Sequence, residues 1–398
     1  MVWSVVGIGA ALAVWALFAR QLERWRITPA MVLVVVGAGV GVSTHHALAA
    51  SLDTDVILPI IEVILAILLF GHATHVRGGF FGGMFGPAFR LIVIALPMSM
   101  GLSVLLGSWL LPGLSWAALL AVACVVVPID FAPVASFLHD DRIPARVRNL
   151  LNVEEGYSDG VVAPILVFAL AITGGQQAGA ESLMHAVRDA VPHLLSAVVL
   201  GLAIGAVAAV AANAVDRRGF MTDRARRLIL LCTPVLAYTL NVASHGNGFV
   251  AAFVCGIAFN GLRRYSDERR ELELLDDVAF LLSAVLWFVF GAVAWYVLEE
   301  GVSIGLVVFC VLVVTVVRFV PVVLSLTGSG LSRSERRLVA VLAPRGAATI
   351  VLGLLAFNVL EDAAERAVLL STILVVLGSV LLWGVLGPVL VGRYAKNE

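Results

Sequence analysis

The sequence has 398 residues, of which 61% are apolar and only 13% charged, whereas about a quarter of the residues of a soluble protein are charged. With a mean hydropathy of +1.03, this composition excludes a soluble globular protein and predicts an all-α polytopic membrane protein. The net charge of −1 says little, and the four cysteines lie in apolar runs without the spacing of a zinc site.

The membrane spans are predicted from the length of the apolar runs. A helix needs about 20 apolar residues to cross a bilayer. The first apolar run has neither a basic region before it nor a cleavage site after it, so it is predicted to be a membrane span rather than a signal peptide. The thirteen predicted spans lie approximately at 2–20, 28–50, 56–71, 91–111, 115–138, 150–173, 192–214, 227–244, 247–262, 277–298, 302–326, 336–358 and 366–391.

The loops between these spans differ in charge. Arginines concentrate at 20–26, 77–90, 139–148, 217–227, 263–270 and 333–337, while the intervening connections are acidic or nearly neutral. The positive-inside rule makes the arginine-rich loops cytoplasmic, which predicts an external N-terminus and a cytoplasmic C-terminus. No loop is long enough for a soluble domain, so the chain is predicted to be a single transporter domain over 1–398.

Several ionisable residues lie inside the spans. A charge at bilayer depth costs at least about 2.5–3.5 kcal/mol, so such groups pair with each other or line a hydrated path. In chain order they are Glu62, Asp130, Glu154, Glu155, Asp159, Arg318 and Arg345. Acids near the middle of the chain and arginines near its end suggest pairing between the two halves.

Two spans are predicted to be interrupted. Pro128 and Pro133 remove backbone donors on either side of Asp130, and Pro344 and Gly346 flank the arginine of span twelve. Interrupted helices in two halves of a membrane protein indicate a transporter site, because the freed backbone groups and helix ends interact with ions.

Helical spacing divides the carboxylates of span six. Glu155, Ser158 and Asp159 lie at i, i+3 and i+4, hence on one face, and Glu154 is turned about 100° away. The two glutamates are therefore predicted to have different partners.

The segment "PIDFAPVASFLHDDRIPARVRNLLNVEEGYSDGVVAPILVF" is followed by "NGFVAAFVCGIAFNG", "LWFVFGAV", "RFVPVVLSL" and "APRGAATIVLGLLA". In this order the segments resemble the bacterial monovalent cation:proton antiporters of the sodium/proton exchanger superfamily, nearest the electroneutral thirteen-span branch. The resemblance covers most of the chain, and its specific part is the run 128–168.

The resemblance implies roles for individual residues. Asp159 would bind the ion or the proton, and Asp130 would lie in the unwound crossing, although a carboxylate that caps a broken helix is an equal alternative for Asp130. Glu154 would pair with Arg345 or Arg318, which are interpreted as counter-charges rather than as an anion site.

Other positions differ from the pattern of the relatives. Ile129 stands where they usually have Thr, Ser158 where the electroneutral branch has Asn, and Glu155 where a Ser often helps to hold the ion. His72 stands where relatives often have an acid, and with His75 it is interpreted as an interfacial histidine ahead of the alternative of pH sensing.

The acid of span three is the remaining member of the expected site. The resemblance places Glu62 where an acid approaches the ion, and the alternative is a simple pair with an arginine. It further implies a mobile core from 91–173 and 302–391, a dimerisation domain from 1–90 and 192–298, and inverted repeats with two crossed helices. The expected assembly is a homodimer in the bacterial cytoplasmic membrane, in contact with lipid, without a cofactor or a nucleic-acid partner.

The predicted function is exchange of Na⁺, or of Li⁺ or K⁺, for H⁺ at one carboxylate. Exchange is expected to be one-for-one because Ser158 replaces a second acid, whereas a titrating Glu155 would make it electrogenic. The alternatives are a sodium-coupled solute symporter and a non-transporting sensor or channel. An intramembrane aspartyl protease would require a Gly-x-Gly-Asp element, which this sequence lacks, so no enzyme is expected.

Overall fold

The computed structural model of the protein describes residues 2–25, 27–44, 57–76, 81, 83–131, 133–134, 140, 142–173, 180–264, 268–299 and 301–396, most of which are helical. The fourteen helices found there are α1 (Val2–Arg24), α2 (Pro29–Thr44), α3 (Ile57–His75), α4 (Phe85–Leu110), α5 (Trp116–Val126), α6 (Ala145–Thr173), α7 (Ala180–Arg217), α8 (Asp223–Ala243), α9 (Gly248–Leu262), α10 (Glu268–Glu299), α11 (Ile304–Ser325), α12 (Arg333–Val341), α13 (Ala347–Phe357) and α14 (Asp362–Lys396). These residues contain no strand, which confirms the all-α prediction.

Each predicted span overlaps a described helix, although α5 covers only 116–126 of the span at 115–138, part of which lies outside the described residues, and the span at 336–358 contains both α12 and α13. By length and composition, six described helices can cross a membrane, namely α4, α6, α7, α10, α11 and α14, and six shorter ones are apolar, namely α1, α2, α3, α5, α9 and α13. The predicted span at 227–244 is helix α8, which belongs to neither group. The chain is a multi-pass membrane protein, and the count of thirteen spans stays a prediction.

Glycine allows some of these helices to pack backbone against backbone. A Cβ on Gly37 of α2 would lie 2.1 Å from the Phe288 carbonyl oxygen of α10, and a Cβ on Gly291 of α10 would lie 2.2 Å from the Val34 carbonyl oxygen. Membrane helices associate through such small residues because lipid provides no hydrophobic drive between them. These glycines therefore allow α2 and α10 to pack in close contact.

Two helices are interrupted where the sequence places proline and glycine. After α5 ends at Val126, residues 127–131 are not helical, and residues 342–346 separate α12 from α13 in the same way. Pro133 lies just beyond the first interruption, in a single 3₁₀ turn. Helix α6 packs against α3, α5, α9 and α13, so it lies beside both interruptions.

Candidate ion-binding site

The two interruptions meet at Asp130. The backbone N–H of Asp130 donates to the carbonyl oxygen of Pro344 at 2.9 Å, and its Oδ2 accepts from the N–H of Ala348 at 2.9 Å. Helix α13 has Gly346 at its N-cap and no cap from its own side chains. A Cβ at this glycine would lie 2.6 Å from the Asp130 carboxylate, so glycine makes the approach possible. Asp130 thus caps the N-terminus of α13, where the helix dipole favours an anion.

Arg345 caps the opposite kind of helix end, the C-terminus of α5. Its Nε donates to the carbonyl oxygen of Val126, the last residue of α5, at 2.9 Å, and a terminal nitrogen donates to the carbonyl oxygen of Ala343. The Arg345 N–H donates to Ser379 Oγ at 2.7 Å. The side chain is buried, and its charge lies at the C-terminal end of α5, where cations are favoured.

The polar face of α6 is turned toward the first interruption. Glu155 Oε1 accepts from the N–H of Phe131 at 2.6 Å, and Ser158 Oγ donates back to the Glu155 carbonyl oxygen at 3.2 Å. Glu155 therefore holds unwound backbone in place, while the Ser158 hydroxyl is engaged within its own helix. Pro128 and Ile129 lie in the same non-helical segment, and Ile129 is buried among apolar side chains.

Asp159 differs from its neighbours because its carboxylate is unsatisfied. The residue is 1% exposed, and neither carboxylate oxygen has a hydrogen-bond donor among the described residues. His72 Nδ1 of α3 lies 3.4 Å from Asp159 Oδ2, an ion pair when the imidazole is protonated. A buried acceptor without a partner is costly, so this carboxylate is suited to a proton or a cation.

His72 lies beside the carboxylates of the candidate site. Its side chain is 17% exposed, and one ligand atom from each of His72, Asp130 and Glu155 lies within 4.8 Å of the others. Gly156 allows α6 to approach, since a Cβ there would lie 3.0 Å from the His72 carbonyl oxygen. His72 therefore contacts the candidate site, and its interpretation as an interfacial histidine stays a prediction.

The second histidine of α3 is outside this cluster. His75 Nε2 lies 2.8 Å from Asp276 Oδ1 of α10, and both side chains are exposed. Asn260 of α9, which the sequence analysis missed, donates to the Val76 carbonyl oxygen at 2.9 Å and so caps the end of α3. An asparagine inside the apolar run "GIAFNGL" was the available signal.

Glu154 points away from the ion cluster, to Arg318 of α11. One terminal nitrogen of Arg318 donates to Oε1, and the other donates to Oε2 at 2.8 Å and to the Val339 carbonyl oxygen at 3.2 Å. A π-helical turn at Val313–Val317 directly precedes Arg318. Of the two arginines predicted as partners, Arg318 makes this bidentate contact, whereas the hydrogen bonds of Arg345 go to backbone carbonyls.

Glu62 is not brought to the cluster. Its Oε2 accepts from the hydroxyl of Tyr238 on α8 at 2.6 Å. Ten residues of α3 separate Glu62 from His72, which is about 15 Å along the helix axis. An ion-site acid or a pair with an arginine was expected at Glu62, and its hydrogen bond with a tyrosine was not expected.

The non-helical segments 127–131 and 342–346 meet beside buried carboxylates in a bundle of apolar helices. This arrangement is typical of secondary transporters rather than of enzymes. A family model for the transmembrane part of sodium/hydrogen exchangers matches residues 8–392. The chain belongs to the sodium/hydrogen exchanger family.

Solved structures show the same fold. The sodium proton antiporter MjNhaP1 from Methanocaldococcus jannaschii at pH 8 superposes with a TM-score of 0.80 at 17% identity, covering 96% of this chain and 99% of that one. An electron-microscopy structure of MjNhaP1 gives a TM-score of 0.75 at 17% identity, over 99% and 98% of the two chains.

A curated relative also matches in sequence. A probable Na⁺/H⁺ antiporter of Schizosaccharomyces pombe is 24% identical over 228 residues, which is 54% of this chain. The matched region covers only 29% of that relative's length. Family and fold do not favour the symporter, sensor and channel alternatives.

Proposed function

We propose that the protein is a secondary active antiporter that exchanges Na⁺ for H⁺, with Asp159 as the carboxylate that binds either one. The observation that carries this proposal is the buried carboxylate of Asp159, which has no hydrogen-bond donor among the described residues and has only His72 at ion-pair distance, beside the two non-helical segments. Family membership and the antiporter fold support it. No cofactor is needed, since the transported ions supply the chemistry.

Obligatory exchange follows from the cost of a bare charge. An ionised carboxylate inside a membrane bundle is unfavourable unless it is neutralised. If the site passes between the two membrane faces only with a proton or a cation on Asp159, neither ion moves without the other.

The stoichiometry we propose is one-for-one. Ser158 supplies a hydroxyl that is used within α6, and Glu155 is engaged with the backbone of the unwound segment. Asp159 is then the single acid free to exchange ions. Electrogenic exchange would require Glu155 to release the Phe131 N–H during transport.

The domain arrangement is part of the proposal. Residues 91–173 and 302–391 form the mobile core, and 1–90 and 192–298 form the scaffold through which two copies dimerise in the bacterial cytoplasmic membrane, with the N-terminus outside and the C-terminus inside. The packing of α5 with α6 and of α2 with α10 supports this division. The contact between His72 and Asp159 crosses from scaffold to core, so movement of the core would alter it.

Reconstituted vesicles test the function. Wild-type protein is expected to dissipate an imposed pH gradient when NaCl is added, and Asp159→Asn to lose this exchange. The matched control is Asp140→Asn, the same change at an aspartate that pairs with exposed Arg142, and it should retain exchange. Full exchange by Asp159→Asn refutes the site. LiCl and KCl identify the cation, and a rate that depends on membrane potential refutes one-for-one exchange.

A further inference from the structure

The candidate site contains a nitrogen ligand. His72 contributes an imidazole to a group whose other members, Asp130 and Glu155, are carboxylates, with one ligand atom of each within 4.8 Å of the others. Alkali cations are bound by oxygen, whereas imidazole together with carboxylate suits divalent first-row transition ions. This ligand set therefore differs from what Na⁺ alone requires.

We propose that His72, Asp130 and Glu155 bind a divalent transition ion, for which Zn²⁺ is the probe, and that this ion competes with the transported cation. A second observation also points to a ligand here. Asp159 is 1% exposed, its two oxygens have no donor among the described residues, and one of them lies 3.4 Å from His72 Nδ1. The competition rests on the proposed function, but the binding of the metal does not.

The geometry is close to that of a bound metal. Bonds of about 2.1 Å place neighbouring ligand atoms about 3.0–3.4 Å apart, so atoms now within 4.8 Å need to close by less than about 2 Å. Side-chain torsions can supply such a shift. Both carboxylates are already oriented, Glu155 by the Phe131 N–H and Asp130 by the Ala348 N–H, which is the outer-shell support typical of metal ligands.

Charge favours a divalent ion as well. Asp130, Glu155 and Asp159 place three carboxylates around the imidazole, and a divalent ion neutralises more of their charge than Na⁺ does. Binding Zn²⁺ requires a neutral imidazole. Zinc bound to one imidazole nitrogen would lie beside Asp159 and so occupy the place of the transported ion.

The test is Zn²⁺ binding by purified full-length protein in detergent, measured by equilibrium dialysis. Wild type is expected to bind one Zn²⁺ tightly, and His72→Gln to bind it at least about 10-fold more weakly, because losing a direct ligand costs no less than losing an outer-shell partner. The matched control is His75→Gln, the same substitution about one turn away on α3. His75 and Asp276 are in contact at the surface, where zinc could bind instead. The control variant should bind as wild type does.

Equal binding by His72→Gln and wild type, or loss of binding in His75→Gln alone, overturns the proposal. A second measurement does not need the His72 variant to fold. Zinc-edge X-ray absorption of His75→Gln loaded with one equivalent of Zn²⁺ should show imidazole coordination, and a shell of oxygen alone overturns the inference.

Transport separates this inference from the proposed function. Micromolar Zn²⁺ should inhibit Na⁺-driven H⁺ flux by wild type and by His75→Gln. Normal exchange without zinc binding that depends on His72 refutes the inference and leaves the proposed function intact. Zinc binding that depends on His72 in a protein without exchange refutes the proposed function and the competition, and leaves the metal site intact.

Discussion

Replacing Glu154 with glutamine is expected to destabilise the protein strongly. Glu154 and Arg318 are buried and joined by two parallel hydrogen bonds. The substitution leaves the guanidinium charged, because arginine does not deprotonate in proteins. Breaking a buried pair by removing one partner costs about 3–5 kcal/mol. Arg318 keeps its hydrogen bond to the Val339 carbonyl, so we expect about 3 kcal/mol, a large share of the 5–15 kcal/mol typical of a folded domain.

The assay is equilibrium unfolding in detergent of wild type, Glu154→Gln and the double variant Glu154→Gln/Arg318→Met. The double variant removes the unpaired charge and should recover most of the lost stability. Asp140→Asn is the control for a pair at the surface, where the Arg142 side chain is 52% exposed and that of Asp140 16%, and it should cost no more than about 1 kcal/mol. The prediction is contradicted if Glu154→Gln lowers the free energy of unfolding no more than this control does, or if the double variant is as unstable as the single one.

Two further predictions concern packing and pH. Gly160→Ala should lower the free energy of unfolding by about 1–3 kcal/mol, because its Cβ would lie 2.4 Å from the Phe253 ring. Thermal unfolding measures this against the control Gly101→Ala, whose Cβ meets nothing within 4 Å. Equal melting temperatures of the two variants would contradict the prediction. The hydrogen bond from the Arg142 guanidinium lowers the pKa of Asp140 below its ordinary range. The pair therefore stabilises the protein above the unfolded-state pKa of about 3.9, and this contribution disappears as pH falls through the lowered pKa. Acid titration of unfolding, compared with Asp140→Asn, should show the difference vanish in that range, and a constant difference contradicts it.

The interruptions could be predicted because their causes are local. Pro128 and Gly346 alter the backbone where they stand, whatever packs against them. The separate directions of Glu154 and Glu155 could be predicted for the same reason, because about 100° per residue fixes their relation within one helix.

The partners of several residues could not be predicted, because they depend on how one helix is rotated against another. Glu62 and His72 lie on the same helix, yet one meets Tyr238 and the other meets Asp159. Nothing in a hydropathy pattern fixes that rotation. Arg345 was expected to neutralise an acid, but its Nε bonds a carbonyl 219 residues away in sequence, one that becomes available only because α5 stops there.

The crossing of the two interruptions has a directional character. Asp130 accepts a hydrogen bond from the N–H of Ala348 at the start of α13, and the Arg345 guanidinium donates to the carbonyl oxygen of Val126 at the end of α5. Each charge is opposite in sign to the partial charge of the helix end that it contacts. Exchanging the acid and the base between the two positions would therefore place each beside a helix end of its own sign. The direction in which the chain runs through each interruption therefore decides which sign of charge can stand there.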